Sequence, residues 1–499
     1  MGLKEVIKKV VIKVLNIVPA QDNQIYIKEP LSHAGTVLRN RIWYRGDPSE
    51  LDQFFKGIAT DDVGKSRFWA AVPSTDSSIR KFHSGLPGEI VDKLADIVIS
   101  GLDNIELPEQ ELWDEIAGDN KFNEELLPDA IKDTLIEGDG AFKLSIDTDI
   151  SGYPIIEYYS GTDVDYTYKR GRLQEVKFYA RYTYEKETYT LEEIYGKGFI
   201  DYKLYDKNGK EVPLSKVPEA SHLSKVTFIG DFIMAVPMRY FKSPKFENRG
   251  NSIFERKSDN FDALDEVISQ WIDAIRAGRV KNYIPEDLLP VNPESGKTMR
   301  PNPFDNQFIK VGANRAEDAK SAIDQIQADI YYDAFVQSYA STLDMCLQGV
   351  LSPSTLGIDL KKTDNAEAQR EKEKTTLYTR GKIIDVLTEV VPLLIDMTLK
   401  VNDTMHGRNP GDYQDNVTIT FGEYASPDFD STVEVVGAAK SYGIMSLEEC
   451  IEQMYGDTWT DEEKEAEVQR IRQGDAVMDE PAAQVDSMNE EEEDGDAEE

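Results

Sequence analysis

Carboxylates are the most abundant charged side-chain groups of this sequence. The 499 residues include 93 Asp and Glu against 56 Lys and Arg, which gives a formal net charge of −37. Catalysis by a carboxylate pair requires two acids set apart by their environment, and no pair stands out among so many. A charge-rich surface explains the acids more simply. A carboxylate-metal enzyme stays open as an alternative, but the sequence predicts no catalytic residue.

Two short stretches resemble ligand-binding loops, and each lacks a required residue. The tripeptide Gly-Lys-Ser at 64–66 matches the end of a phosphate-binding loop, but Ala59 stands where the first glycine is needed. The stretch that begins at Asp147 matches the start of a calcium loop, but Tyr158 occupies the place of the bidentate acid. Neither H-E-x-x-H nor G-x-S-x-G occurs in the sequence. We therefore predict no nucleotide cofactor and no nucleophile site.

Cysteine and histidine are too scarce for a zinc module or a disulfide scaffold. The cysteines are Cys346 and Cys450, and the histidines are His33, His83, His222 and His406. The sequence predicts no metal site, and it indicates a protein made and used in a reducing compartment.

The first element along the chain is an amphipathic segment. Apolar residues recur at helical spacing between Leu3 and Val18, and Lys4, Lys8 and Lys13 lie among them. We predict a basic amphipathic helix within 1–24. A membrane-surface anchor is one interpretation, and docking on protein is the other.

The next part of the sequence predicts an α+β fold. Helical periodicity dominates up to residue 140, whereas 140–245 is rich in Tyr, Val, Ile and Thr with frequent turns, which is typical of antiparallel strands. The pair Asn208-Gly209 indicates a hairpin turn. A further strand is predicted at 416–424, far from the others in sequence.

The second half alternates helices with shorter elements. A helix at 251–278 has one apolar stripe and one acidic face. The elements predicted after it are a Pro-rich α/β insert (279–314), a helix (315–348), a loop (349–363), a long helix kinked at Pro392 (364–402), short helices (426–474) and a disordered tail (475–499). The tail holds twelve acids and no base.

This order of elements resembles the portal proteins of tailed double-stranded-DNA bacteriophages with long non-contractile tails. The resemblance spans roughly residues 30–475. Local stretches that resemble the family are Arg41–Asp47 (RIWYRGD), Lys81–Pro87 (KFHSGLP), Glu137–Lys143 (EGDGAFK), Leu351–Gly357 (LSPSTLG), Ser426–Phe429 (SPDF) and Tyr442–Ser446 (YGIMS). No single motif is diagnostic, because portals have no catalytic signature.

The resemblance implies a ring of about twelve subunits at one capsid vertex, through which DNA is packaged and ejected. By order, it implies a wing (25–250 with strand 416–424), a stem (251–278 and 315–348), a clip (279–314), a tunnel loop (349–363) and a crown (426–474). It also implies a virion protein assembled in the host cytoplasm, without catalysis or a membrane. The implied partners are the terminase packaging motor, a head-completion or adaptor protein, and the major capsid and scaffolding proteins.

The resemblance also gives candidate roles to individual residues. An acidic wall repels phosphate, and a few lysines at a narrow place make weak contacts with it. The candidate acidic wall is Asp262, Asp265, Glu266 and Asp273. The candidate DNA-facing residues of the tunnel loop are Lys361 and Lys362. The candidate stem packing is Phe261, Leu264, Ile268, Trp271 and Ile275. The candidate clip contacts are Arg279, Lys281, Lys297, Arg300, Lys310 and Arg315.

Two other functions compete with the portal hypothesis. The basic amphipathic segment would suit a membrane-associated scaffold, whose liposome binding would require residues 1–18. A carboxylate-metal enzyme would require a divalent ion and turnover. Ordinary surface or core roles also explain each candidate residue, so the hypothesis depends on the resemblance.

Overall fold

The computed structural model describes most of the chain. The described residues are 30–72, 79–279, 281–285, 291, 293, 296, 308–311, 324–326, 329–358, 366–422, 429–455 and 459–478. They fall into two compact units, divided after Gly422. Helices and sheets are both extensive, as an α+β fold requires. The predicted helix in 1–24 lies outside the described residues.

The first unit begins with a helical layer. Its helices are α1 (His33–Arg45), α2 (Pro48–Ile58), α3 (Asp62–Lys65), α4 (Leu86–Ile99), α5 (Gln110–Asp119) and α6 (Leu127–Glu137). Asp47 caps α2 by accepting a hydrogen bond from the backbone N–H of Ser49, and Pro48 occupies the first helical position. Pro128 lies in the first turn of α6 in the same way. The sequence predicts both helix starts, from Asp47-Pro48 and from Pro128, and the structure confirms them.

Two antiparallel sheets follow. The strands are β2 (Asp139–Ser145), β3 (Ile155–Ser160), β4 (Val164–Lys169), β5 (Arg172–Tyr184), β6 (Glu187–Gly196), β7 (Phe199–Tyr205), β8 (Glu211–Val212), β9 (Val226–Thr227) and β10 (Ala235–Arg239). One sheet has the order β10-β2-β3, and the other is the meander β4-β5-β6-β7-β8, with β9 paired to β7. The Asn208-Gly209 pair predicts a type I′ turn. The β7–β8 hairpin turn is present there, but of the two residues only Gly209 has a positive φ, +74°, so the turn is not of type I′. The antiparallel β region predicted for 140–245 is confirmed.

A third, two-stranded sheet joins distant parts of the chain. Strand β1 (Leu102–Glu106) pairs antiparallel with the strand at Thr418–Phe421, so Glu106 lies opposite Thr418. The predicted strand at 416–424 is confirmed. Sequence periodicity missed β1, because the burial of its five residues does not alternate.

A pair of helices flanks the predicted insert. Helix α7 (Ser258–Ala277) is followed by β11 (Lys281–Pro285), β12 (Phe308–Val311), β13 (Asp324–Ile326) and α8 (Tyr332–Leu347). Strand β12 pairs parallel with β11 on one side, and β13 pairs antiparallel on the other. The predicted helix at 315–348 is wrong at 324–326. There the ladder hydrogen bonds to β11 override a weak helical pattern.

The longest element is α9 (Ala366–Met405), whose 40 residues span roughly 60 Å. Its second half is buried in the main core through Leu387, Val391 and Leu394. Pro392 lies inside the helix and removes one backbone donor there. Strand β14 (Thr418–Phe421) completes the unit.

The second unit consists of helices α10 (Phe429–Ser441), α11 (Leu447–Tyr455) and α12 (Asp461–Met478). Two S/T-x-x-E patterns of the sequence cap helices here. The N–H of Glu449 donates to Ser446 Oγ, whereas Thr460 and Glu463 form a reciprocal capping box, in which the N–H of Glu463 donates to Thr460 Oγ1 and the N–H of Thr460 donates to Glu463 Oε2. Helix α12 continues through Met478, so the prediction of disorder is wrong for residues 475–478. Residues 479–499 lie outside the described part. In the described helices, no apolar stretch has the length needed to cross a membrane.

Candidate functional site

The candidate site is the helix pair α7 and α8, which run antiparallel. The ammonium of Lys257, at the start of α7, donates to the carbonyl oxygens of Met345 and Gln348 at 2.7 Å each. Trp271, in the second half of α7, lies beside Phe335 near the start of α8. The strands β11, β12 and β13 are connected to the far end of this pair.

Asp265 is fully buried in the first half of α7 and accepts three hydrogen bonds. Its donors are the indole N–H of Trp69 (3.0 Å), the ring Nδ1 of His83 (2.6 Å) and the backbone N–H of Ser84 (2.9 Å). Its exposed fraction is 0%. Asp265 therefore fixes the 69–84 region against α7 and is not part of a solvent-facing wall.

Asp262 is buried one turn earlier in α7, and it also holds the distant segment by accepting hydrogen bonds from it. It accepts hydrogen bonds from the backbone N–H groups of Phe68 (2.8 Å) and Trp69 (3.1 Å). Burial raises the pKa of Asp262, although those two N–H groups act in the opposite direction. The prediction that Asp262 and Asp265 line an acidic channel wall is wrong, because donors from a distant segment cover both carboxylates. That segment was not visible in the helix's own periodicity.

The other two acids of the candidate wall are placed differently. Glu266 and Asp273 are both half-buried. Glu266 accepts a hydrogen bond from the side-chain amide of Gln270, one turn later on the same helix. These two acids remain candidates for a charged surface.

The apolar stripe of α7 changes along the helix. Phe261 and Leu264 are buried in the main core, and Ile268 is half-buried against it. Trp271 is half-buried, and Ile275 is 50% exposed. The five residues share a face, but only the first three contact the core of their own unit.

Helix α8 adds an aromatic cluster that the sequence analysis did not single out. The ring of Trp271 lies 6.1 Å from Tyr332, 6.3 Å from Phe335 and 6.4 Å from Tyr339. Tyr332 is nevertheless 60% exposed, and its neighbour Tyr331 is 76% exposed. The spacing of residues 332, 335 and 339 is helical and was the available signal.

The remaining candidates lie at the insert and the loop. Arg279 is exposed just after α7, Lys281 is in β11, and Lys310 is in β12. The candidates outside the described residues are Lys297, Arg300, Arg315, Lys361 and Lys362. The described part of the predicted tunnel loop is 349–358, and it contains a short 3₁₀ helix, Pro353–Leu356.

The described residues contain no cluster of three or more His, Cys, Asp or Glu side chains placed to hold a metal ion. Burial raises the pKa of the Cys346 thiol to about 12, so this cysteine is a poor nucleophile at neutral pH. The helix pair therefore presents packing surface and charge.

Comparison with known proteins gives distant structural similarity. No family model matches the sequence, and no curated protein matches it. A solved structure described as "Neck of native GTA particle computed with C12 symmetry" overlaps 78% of this chain and 91% of its own, at 12% identity and a TM-score of 0.41. A neck component of a phage-like particle is thus among the structures that this chain resembles.

Proposed function

We propose that this chain is a phage portal protein, which forms a ring at one capsid vertex and gives double-stranded DNA a path into and out of the capsid. The ring would act as a conduit without intrinsic catalysis. It would be a virion protein assembled in the host cytoplasm. The packaging motor, a head–tail adaptor, and the capsid and scaffolding proteins would dock on it.

The observation that supports this proposal most is an exposed apolar surface, which is formed by the second half of α7 and the start of α8. Ile275, Tyr331 and Tyr332 are each at least half exposed, beside the half-buried Trp271. Contiguous exposed apolar surface marks an interaction site. Copies of the same chain can cover such a surface, and most homo-oligomers have closed symmetry.

The position of this surface favours a ring. The helices α7 and α8 are antiparallel, and the strands β11, β12 and β13 come between them in the chain, at the end of the pair that carries this surface. When a helix pair packs side by side with neighbouring copies, its exposed apolar side chains become the contact between subunits. A closed ring follows if the rotation between neighbours divides a full turn evenly.

Charge also fits a conduit. DNA must move through a channel without being held in register, so base-specific contacts would oppose its function. The chain's net charge of −37 repels phosphate on average, and half-buried Glu266 and Asp273 would add to this on the helix pair. Each charge would recur around the ring.

Electron microscopy of the purified chain tests the proposal, with Trp271→Ala as the variant. We expect end-on views of rings with a central hole for the wild type, and fewer rings with a lower melting temperature for Trp271→Ala. Tyr184→Ala is the control, because it removes a partly exposed aromatic ring from the strand β5.

Two results would contradict the proposal. A wild-type chain that stays monomeric at all concentrations, with and without capsid proteins, would exclude a ring. Intact rings with unchanged melting in Trp271→Ala would instead reject the helix pair as the subunit contact.

A further inference from the structure

A basic groove lies in the first unit, away from the helix-pair surface described above. It has a volume of about 480 Å³ and lies between the segment 241–257, the turn 348–350 and the middle of α9. Four of its lining residues are basic, and none of its lining residues is acidic: the basic residues are Lys242, Arg256, Lys257 and Lys382. The charge of this lining is opposite to that of the chain as a whole, which has 93 acids and 56 bases.

Three of these cations are available to a ligand. Lys242, Arg256 and Lys382 are exposed, and none of the three forms an ion pair within the described part of the chain. Nearby Lys245 differs, because its ammonium lies 2.9 Å from the buried carboxylate of Glu255. Among the residues that the structure describes, these three cations of the groove therefore have no ion-pair partner.

The fourth cation builds the wall of the groove. Lys257 donates to the carbonyl oxygens of Met345 and Gln348, and burial lowers its pKa. These bonds hold the turn that follows α8, where Gly349 has φ +73°. Only glycine adopts that backbone conformation without strain. Backbone held by these hydrogen bonds thus forms part of the groove wall, and three exposed cationic side chains line the groove.

Net charge does not decide what such a groove attracts. Salt screens charges over about 8 Å at physiological ionic strength, so a ligand at the groove responds mainly to the cations lining it. Long Lys and Arg side chains suit phosphate groups spaced along a backbone. They do not by themselves read base edges.

We propose that the basic groove binds the phosphate backbone of nucleic acid without sequence preference, through Lys242, Arg256 and Lys382. The choice of nucleic acid over another polyanion rests on the proposed function, since a DNA conduit brings phosphate to this chain. Arg256 would donate in a bidentate manner to one phosphate, and the two lysines would act as point charges.

The test compares two triple variants of equal charge change in the full-length chain. The groove variant is Lys242→Glu, Arg256→Glu and Lys382→Glu. The control is Lys169→Glu, Arg172→Glu and Lys186→Glu, which replaces three exposed cations at the β4–β5 and β5–β6 turns. Binding to a short labelled DNA duplex is measured by fluorescence anisotropy over a range of salt concentrations.

We expect the groove variant to bind the duplex at least about tenfold more weakly than the control variant. The slope of log affinity against log salt should become shallower by roughly 2.7, because each neutralised phosphate contributes about 0.9. Equal weakening by both triples, or no weakening by either, would overturn the proposal. So would poly-glutamate competing as well as unlabelled duplex, because the groove would then be a site for acidic peptides.

Two further measurements keep the outcomes separable. If the groove variant melts early, Lys242→Gln with Lys382→Gln removes charge without adding acids, and binding is measured again. Electron microscopy of the same samples reports on the ring independently. If rings form but DNA binding does not depend on the groove residues, only the proposal for the groove is overturned. If DNA binding depends on the groove residues but no rings form, only the proposed portal assembly is overturned.

Discussion

The two halves of α7 have the same amphipathic pattern but different surroundings. In the first half, Phe261, Leu264 and Asp265 are buried by their own unit. In the second half, Trp271 is half-buried and Ile275 is 50% exposed. Helical periodicity shows that a face is apolar, but it does not show whether the covering partner belongs to the same chain. The first half therefore serves the fold, and the second is available for assembly.

The largest loss in the free energy of unfolding is expected for a substitution at Asp265, in the first half of α7. Asp265→Ala leaves the indole N–H of Trp69, the ring N–H of His83 and the N–H of Ser84 without their acceptor. Each unsatisfied buried donor costs about 1–3 kcal/mol, so we expect the free energy of unfolding to fall by about 3–5 kcal/mol in chemical denaturation. Glu266→Ala, one residue away and half-buried, should change it by less than about 0.5 kcal/mol. Equal effects would mean that Asp265 is no anchor.

A smaller effect is expected at Asp262. Asp262→Asn keeps one acceptor for the two backbone N–H groups and removes a carboxylate whose pKa is raised by burial. We expect a loss of about 1–2 kcal/mol at pH 7.

The pH dependence of Asp262 has a definite sign. Since the folded pKa lies above 3.8, the folded state binds the proton first as pH falls. Lowering the pH through the raised pKa should therefore stabilise the wild type relative to Asp262→Asn. Unfolding curves across that pH range measure the difference, and a difference of the opposite sign would contradict the burial of this carboxylate.

The smallest effect on folding is expected at Ile275. Ile275→Ala removes side-chain carbons that are half exposed, so the free energy of unfolding of the isolated chain should change by less than about 1 kcal/mol. The sedimentation profile should nevertheless shift toward smaller species. Ile150→Ala, at a loop position that is 75% exposed, is the matched control. An unchanged profile for Ile275→Ala would place the second half of α7 outside any subunit contact.

Local signals allowed much of the fold to be predicted from sequence. The caps at Asp47, Ser446 and Thr460 and the Asn208-Gly209 turn depend on residues within a few positions of one another. Each of these elements is present in the structure. Local hydrogen bonding is enough to specify such features.

Non-local contacts account for the predictions that failed. Asp262 and Asp265 looked like surface acids, because their donors at 68–84 lie far away in sequence. Strand β13 looked helical, because its partner β11 lies some forty residues earlier. The surroundings of the candidate acidic wall depend on such non-local contacts, whereas the apolar face of α7 follows from local periodicity. The apolar face was therefore predicted more accurately than the acidic wall.

The pairing of β1 with β14 has a consequence for synthesis. Glu106 pairs with Thr418, so about 310 residues must leave the ribosome before that ladder can close. At translation rates of about 5–20 residues per second, this takes about 15–60 s. During that time β1 keeps an open edge beside a nearly finished helical layer. Chains stalled before residue 418 therefore retain a strand edge that invites non-native pairing, and protease digestion of such stalled chains would reveal it as a cut near residue 102.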